Sequence, residues 1–460
     1  MNEHLNTHWK EILKVAIPIS LGIFVQFIVM FIDNYFVAQV NGNAMSAVAF
    51  VGLIYVTLVM ISVGLGNATQ ILVARRRGEG QYSDAGKVVG NAFWMAILIA
   101  FIQFSLLSFL LPGIIETTIE SDQVKQYMYE FIQYRSYGFF FYSFTLVLNS
   151  FWAGIAQTRV MVYTTIITAT VTILLDYGLV FGNLGMPNMG VSGAALATTI
   201  AEACAFIFLL FYSLKYHDRF HASNLHSKNS QNSNSYDLKK WLLKLPTDKS
   251  IALIKLGGPI ALQMVSSLGI WVIFYEFVES MGEQQLQSSF IVRNMYMLAY
   301  VSVGGFSTTA KTYVSGLIAE NRQSELHRTM KKLMLMNFVG IFLLSHGLWL
   351  YPEWIAKTFT TDLIVIEQTI ATMHIVLPAM LIFSVTSILL STVEGSGNTV
   401  AGFIVEIVTV MFYILSAYYM VYVWKWPIHL VWTADYIYFV CLGILSMAFL
   451  WNGKWKMKKI

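Results

Sequence analysis

The stretch LKVAIPISLGIFVQFIVMFIDNYF, residues 13–36, decides the fold. Its uncharged run from Val15 to Ile32 is long enough to cross a hydrocarbon core of about 30 Å as an α-helix. Asp33 follows directly, and because uncharged residues continue after it, we expect this acid within the membrane. A carboxylate in a bilayer is costly, so Asp33 is a candidate functional residue. The alternative is an acid that caps the helix at the membrane surface.

The composition of the chain is that of a membrane protein. Of its 460 residues, 57% are hydrophobic and only 12% are charged, whereas a soluble domain carries about 25% charged residues. Apolar runs of spanning length occur at 14–38, 47–73, 88–111, 127–155, 160–184, 189–214, 252–278, 288–317, 333–351, 365–393, 399–424 and 430–451. The sequence therefore predicts an all-α membrane protein with twelve transmembrane helices.

A polar segment divides the twelve runs into two sets of six. It contains a stretch rich in Ser and Asn, from Ser223 to Tyr236, which is typical of a flexible linker. The basic, amphipathic segment from Asp237 to Leu245 favours a short helix on the membrane surface. The predicted domains are an N-lobe at 1–216, a cytoplasmic linker at 217–250 and a C-lobe at 251–460 with a basic tail.

Basic residues concentrate in alternate loops, and this bias predicts the orientation of the chain. With the N-terminus inside, the inner loops and tail hold most of them, including Arg75, Arg76, Arg77, Lys331, Lys332 and Lys454 to Lys459, whereas the outer loops hold only Lys125, Lys357 and Lys425. We therefore expect both termini in the cytoplasm. Within the spans, Arg135 and Arg293 are expected to extend toward the outer surface, and Lys311 lies deeper.

The two halves of the chain repeat. Pro18 in Lys-Val-Ala-Ile-Pro-Ile corresponds to Pro259 in Lys-Leu-Gly-Gly-Pro-Ile, 241 residues later (259 − 18 = 241). The segment Gly154-Ile-Ala-Gln-Thr158 corresponds to Gly395-Ser-Gly-Asn-Thr399 at the same offset. Because each half has an even number of spans, both halves insert in the same orientation. We expect two six-helix lobes related by a pseudo-twofold axis along the membrane normal.

Further acids occur within the predicted spans. Asp176 ends a ladder with Thr168 and Thr172 in the fifth span, and Glu276 lies late in the seventh. An apolar setting disfavours the charged form of a carboxyl group, so such groups can exchange a proton or hold a cation. Three additional candidates are Glu202, Glu394 and Glu406. The alternative for Glu202 and Glu406 is a structural salt bridge with an Arg or Lys, and the alternative for Glu394 is a cap of the loop at Gly395.

Sequence motifs of ATP-driven pumps and of common hydrolases are absent. The chain contains no Gly-x-x-x-x-Gly-Lys-Ser/Thr, no His-Glu-x-x-His and no Gly-x-Ser-x-Gly. We therefore expect no enzyme activity, no catalytic residue, no cofactor beyond a coupling ion, and no nucleic-acid partner. We also expect no metal site, because linker histidines such as His217, His221 and His226 are more often solvated than metal-bound.

These residues resemble the multidrug and toxic compound extrusion (MATE) family over nearly the whole chain. The resemblance is carried by four segments, which are Ile17-Pro-Ile-Ser20 with Phe31-Ile-Asp33, Gly190-Val-Ser-Gly-Ala-Ala-Leu-Ala-Thr198, Phe274-Tyr-Glu276 and Glu394-Gly-Ser-Gly-Asn-Thr399. It implies two six-helix lobes around a V-shaped central cavity, and export of drugs against inward Na⁺ or H⁺.

The resemblance also implies a cation-coupling site in the N-lobe. Asp33 corresponds to the first-helix acid that members use there, and Asp176 to the fifth-helix acid of one branch. Thr172 stands where that branch often has Asn, and Thr198 corresponds to its sixth-helix Thr.

A second branch of the family uses its C-lobe, and the resemblance to that branch is incomplete. Glu276 corresponds to its seventh-helix Glu, but the Asp of its tenth helix would fall near Phe383, where no acid stands. A C-lobe site is therefore either incomplete or rebuilt with Glu394 or Glu406.

The predicted function is a cation-coupled multidrug efflux antiporter of the inner membrane, which exports organic, cationic or aromatic compounds and acts as a monomer among membrane lipids. The alternative is a lipid-linked precursor flippase, which would need a strongly basic cavity, whereas acids outnumber Arg135, Arg293 and Lys311 within the spans. A major-facilitator transporter also has two parallel halves, but Arg75-Arg-Arg-Gly-Glu-Gly lacks the Asp-Arg pair usual in that loop.

Overall fold

A computed structural model describes residues 4–216, 235–244, 249–458 and 460, and every regular element within them is helical. The first half forms α1 (Trp9–Val40), α2 (Gly42–Gly78), α3 (Tyr82–Ser105), α4 (Leu111–Thr118), α5 (Asp122–Arg135), α6 (Gly138–Gly154), α7 (Arg159–Phe181) and α8 (Gly190–Tyr216). A π-helical turn at Leu106–Leu110 continues α3 into α4. The prediction of an all-α protein is confirmed.

The second half follows a similar order after a short helix, α9 (Leu238–Leu242). It forms α10 (Lys249–Glu279), α11 (Glu283–Ala319), α12 (Gln323–Ser345), α13 (Gly347–Leu350), α14 (Pro352–Phe359), α15 (Leu363–Gly395), α16 (Thr399–Tyr418), α17 (Ile428–Val431) and α18 (Ala434–Trp451). A polar side chain caps the start of α15, where Asp362 accepts hydrogen bonds from the backbone N–H groups of Ile364 and Val365.

In the described part of the chain, nine helices are long and apolar enough to cross a membrane. The predicted spans at 127–155, 288–317 and 333–351 are helical but fall outside these nine. The first of them is interrupted between α5 and α6, where the chain turns at Ser136 and Tyr137. The other two correspond to α11 and α12, which carry more polar side chains, including the buried Lys311 and Lys332.

The described chain forms two compact units. Unit 1 contains His4 and residues 21–261, and unit 2 contains residues 5–20 and 262–460. Both boundaries fall inside a helix, within α1 after Pro18 and within α10 after Pro259. Proline removes one backbone hydrogen bond from a helix interior, so each helix is weakened close to the point where it changes unit. The predicted domain boundaries at 216 and 251 stay a prediction.

In unit 1, α7 packs along α8, and α2 packs against α3, α5 and α6. The short helix α9 lies on α3, where two glycines make room for it. A Cβ added to Gly86 would lie 1.6 Å from the carbonyl oxygen of Tyr236, and one added to Gly90 would lie 2.4 Å from that of Trp241. The rest of the linker, including the histidines and most of the Ser/Asn stretch, lies outside the described residues.

In unit 2, the N-terminal segment at 5–7 is tied to the turn between α11 and α12. The N–H of Leu5 donates to Glu320, and the Thr7 hydroxyl donates to Glu325, both at 2.9 Å. Arg322 donates to the Leu5 carbonyl and forms an ion pair with Glu325. This guanidinium holds the pKa of the Glu325 carboxyl below its usual range.

Candidate functional site

Two carboxyl groups from distant parts of the sequence are neighbours inside unit 1. Asp33 on α1 and Asp176 on α7 lie within hydrogen-bonding reach of each other, and Asp176 is fully buried. Asp33 Oδ1 and both carboxyl oxygens of Asp176 are buried, and none of them accepts a hydrogen bond when both groups are charged carboxylates. Since a carboxylate has no hydrogen to donate, the two groups can bond to each other only when one carries a proton. The pair is therefore a site for one positive charge, either a proton or a cation.

The hydroxyl of Thr172 lies one turn before Asp176 on the same face of α7. Earlier threonines of this helix donate to the carbonyl four residues back, as Thr164 does to Val160 at 3.0 Å and Thr168 does to Thr164 at 3.0 Å. Thr172 Oγ1 is buried and makes no such bond. A buried hydroxyl without a partner is costly, so this oxygen is available to a ligand at the acid pair.

Thr198 lies on α8, the helix that packs along α7. Its hydroxyl donates to the backbone carbonyl of Ala194 at 3.0 Å and is half-buried. The structure thus brings Asp33, Asp176 and Thr172 into one region, whereas the Thr198 hydroxyl is used within its own helix.

A buried ion pair lies close to these acids. Arg135, at the end of α5, donates two hydrogen bonds to Glu202 on α8, at 3.0 Å and 2.8 Å, with side-chain exposures of 11% and 10%. The guanidinium also lies 3.8 Å from the centre of the Tyr55 ring. The sequence predicted that Arg135 extends to the membrane surface, which is wrong because its partner Glu202 holds it inside unit 1.

Gly138 makes room for this ion pair. A Cβ on this residue would lie 2.1 Å from Arg135 Nη1 and 2.6 Å from Glu202 Oε2. The break between α5 and α6 places a residue without a side chain against the guanidinium. The bidentate contact therefore depends on the backbone of α6 as well as on its two partners.

The three acids predicted for the C-lobe, Glu276, Glu394 and Glu406, differ from one another in burial and in their bonding partners. Glu276 is exposed on unit 2, and its role in coupling stays a prediction. Glu394 forms an ion pair with Lys311 at 2.7 Å, with side-chain exposures of 2% and 6%. Glu406 is buried and accepts hydrogen bonds from Ser267 at 2.6 Å and from Tyr438 at 2.5 Å.

Phe383, at the position of the missing acid, is part of the apolar packing of unit 2. Its ring stacks on Phe439 at 4.6 Å and contacts Tyr300 at 5.8 Å. One turn before Phe439 lies Asp435, a buried acid that is not among the predicted site residues. It is the sixth residue of the predicted run at 430–451, close to the end of the run, where an acid looks like an ordinary residue of the membrane surface. Only its burial in the fold distinguishes it.

The two units share one sequence pattern. A family model described as MatE matches residues 18–178 and again residues 259–419, at the predicted offset of 241 (259 − 18 = 241). The predicted repeat is therefore confirmed. Repeated sets of membrane helices, with two neighbouring acids inside one of them, are typical of the class of multi-pass membrane transporters. Because the two matches together span more than half of the chain, the chain belongs to the MatE family.

Relatives and solved structures support this assignment. The chain is 22% identical over 458 residues to the probable multidrug resistance protein NorM of Thermotoga maritima, covering 98% of this chain and 94% of the relative. It is 24% identical over 293 residues to the multidrug resistance protein PmpM of Pseudomonas aeruginosa, covering 64% and 58%. The fold is similar to that of a MOP superfamily transporter from Pyrococcus furiosus, with a TM-score of 0.84, 17% identity and coverage of 98% and 97%. It is also similar to the Vibrio cholerae MATE transporter VcmN in its bent form, with a TM-score of 0.83, 15% identity and the same coverage.

Proposed function

We propose that this chain is a cation-coupled antiporter that exports organic compounds, cationic or aromatic in character, across the inner cell membrane. Relatives named multidrug resistance proteins support efflux of several compounds. The concentration of basic residues in one set of loops supports a cytoplasmic location of both termini. The absence of nucleotide-binding and hydrolase motifs from the sequence supports a transporter without enzyme activity that is driven by an ion gradient. We also propose that it acts as a monomer.

The observation that carries the proposal is the adjacency of Asp33 and Asp176. Two charged carboxylates in contact inside an apolar unit repel each other and have lost their hydration, so the site binds H⁺ or Na⁺ strongly. Thr172 supplies a further buried oxygen to the bound ion. We assign the ion-coupling role to these three residues, with Thr198 as a supporting residue on α8.

The coupling follows from linkage between the two ligands. If the ion stabilises one arrangement of α1 and α7, and the organic compound binds the other arrangement better, each ligand lowers the affinity of the other. Ion entry from outside would then release the compound. Loss of the ion to the cytoplasm would restore the arrangement that binds the compound. Arg135 of the buried pair Arg135–Glu202 also acts on Asp33, and the attraction of its guanidinium for this carboxylate weakens the binding of an ion at the acid pair.

Efflux of ethidium tests the assignment. Asp33→Asn and Asp176→Asn, expressed separately, are expected to reduce ethidium efflux to the level of cells without the transporter. Asp122→Asn, at a fully exposed acid in the first turn of α5, is the matched control and should transport at the wild-type rate. If both buried variants transport as fast as the control, the site assignment is wrong.

The driving ion is identified in proteoliposomes, in which a pH gradient and a Na⁺ gradient are imposed one at a time. Ethidium transport under only one gradient identifies the ion, and transport without either gradient would contradict the coupling. The same vesicles test the lipid-linked precursor flippase. Movement of a fluorescent lipid precursor, together with no movement of ethidium, would replace the proposed function.

A further inference from the structure

Unit 2 contains a buried acid outside the sites described so far. Asp435 lies in the first turn of α18 and is only 5% exposed. The Tyr413 hydroxyl on α16 is a hydrogen-bonding neighbour of its carboxyl group, but Oδ2 is buried and has no partner. Thr433, which precedes α18, makes no side-chain cap, and Asp435 is not used as a cap either.

Aromatic side chains surround this carboxyl group and are packed against one another. The Trp432 ring lies 5.2 Å from that of Phe274, and the Phe274 ring lies 5.9 Å from that of Tyr413. At such centroid distances the rings are in direct contact, so these three rings are packed against one another.

The titratable groups that face Asp435 from the neighbouring helices are phenols. They are Tyr275 on α10, Tyr296 and Tyr300 on α11, Tyr413 on α16 and, on α18 itself, Tyr436. Arg293 lies in the same region, with its guanidinium 5.4 Å from the centre of the Tyr275 ring. Among the described residues, no Lys, Arg or His forms an ion pair with Asp435.

The negative charge of an ionised Asp435 would therefore be stabilised only weakly by its surroundings. Its place in the first turn of a helix stabilises a negative charge by about 0.3–1 kcal/mol. The penalty for burying an ion in a real protein is several kcal/mol, so the helix dipole is too weak to offset it. A hard metal ion would need about six oxygen ligands, whereas rings occupy most of the surroundings of Asp435.

We propose that Asp435 is a proton-binding carboxyl group that forms a second ion-coupling site of the protein, the one that belongs to unit 2. A proton from water adds to one carboxylate oxygen and is later returned to water, and no other bond breaks. The outer loop predicted at 425–429, between the last two apolar runs, precedes α18, so protons from the outer side have the shortest path to this residue. The proposal rests on the proposed antiport, because it adds a second ion site to the same cycle.

Infrared difference spectroscopy of the purified full-length protein in nanodiscs tests the proposal independently of transport. Spectra recorded at about pH 5 and about pH 8 are subtracted, so that carboxyl groups titrating in this interval appear as a carboxylic C=O band. We expect Asp435→Asn to lose one component of this band, and the proton uptake per molecule to fall by about one. Asp435→Glu should shift that component instead of removing it, which covers the case in which the Asn variant fails to fold.

Glu406→Gln is the matched control, because Glu406 is equally buried in unit 2 but accepts two hydrogen bonds. The Asp435 component should persist in this variant. An unchanged band in Asp435→Asn, or loss of the component in Glu406→Gln only, would overturn the proposal. If Asp33→Asn and Asp176→Asn leave ethidium efflux intact while Asp435→Asn loses its band, then the assignment of ion coupling to the acid pair fails and the proton site at Asp435 stands. If ethidium transport in proteoliposomes needs neither gradient while Asp435→Asn loses its band, the proposed antiport fails and the proton site stands.

Discussion

Removing one partner of the ion pair between Arg135 and Glu202 should cost more stability than removing one partner of any ion pair on the surface. Arg135→Met leaves Glu202 buried without its two hydrogen bonds, and Glu202→Leu leaves the guanidinium without its carboxylate. Removing one partner of a buried pair costs about 3–5 kcal/mol. The contact with the Tyr55 ring adds about 1–2 kcal/mol to the Arg135 variant.

The double variant, Arg135→Met with Glu202→Leu, distinguishes the interaction energy of the pair from the separate effects of its two side chains. Apolar side chains that replace both partners remove both buried charges at once, and such replacements are often neutral or stabilising by about 1–4 kcal/mol. We therefore expect the double variant to be more stable than either single variant, with a coupling energy of at least about 3 kcal/mol. The free energy of unfolding is measured over a denaturant series in bicelles for the wild type, the two single variants and the double variant, which together form a double-mutant cycle. Additive single effects would refute the reasoning.

Two comparisons test whether the coupling between Arg135 and Glu202 comes from their burial and their geometry. The ion pair Lys357–Glu353 is as short, at 2.6 Å, but both side chains are exposed, so its cycle should show no measurable coupling. Gly138→Ala places a Cβ 2.1 Å from Arg135 Nη1 and should destabilise the wild type nearly as much as Arg135→Met. In the double apolar background, where no guanidinium is present, Gly138→Ala should be tolerated.

Two other predictions concern the acid pair and the N-terminal segment. Thr172→Val should weaken binding of the coupling ion by about 3- to 10-fold, since one oxygen ligand is worth about 0.5–1.5 kcal/mol. Ion titration of the purified protein measures this affinity. Thr168→Val is the control and should leave the affinity unchanged, because the Thr168 hydroxyl is already bonded to the Thr164 carbonyl. Glu325→Gln should lower the melting temperature at neutral pH, because Arg322 holds the pKa of folded Glu325 below the usual carboxyl value of 4.5. The stabilisation is fully present above pH 4.5, so the effect of the substitution should fade as the pH falls from there through the lower pKa of the folded state. A difference from wild type that persists at acid pH would contradict this account.

The sequence predicted the elements of this protein better than their contacts. Apolar runs identify helices because a span needs about 20 apolar residues whatever it packs against. The interruption between α5 and α6 was not predicted, since Ser136 and Tyr137 carry no turn signal. Asp33 and Asp176 could each be chosen as acids inside spans, but their adjacency is a tertiary contact between residues far apart in the chain. The partner of Arg135 was missed for the same reason.

The repeat shows why a duplicated sequence does not give two equivalent sites. At the offset of 241 residues, Asp33 corresponds to Phe274 and Asp176 to Ala417, both within the apolar core of unit 2. Conversely, Asp435 corresponds to Ala194, which lies in the apolar core of unit 1. Backbone packing tolerates such exchanges, because small and aromatic side chains can fill the same helix interfaces after local repacking. A buried acid is tolerated only where a proton, an ion or a partner neutralises it. Each unit therefore had to acquire its own means of neutralising charge, and a coupling site in one unit does not predict the location of a site in the other.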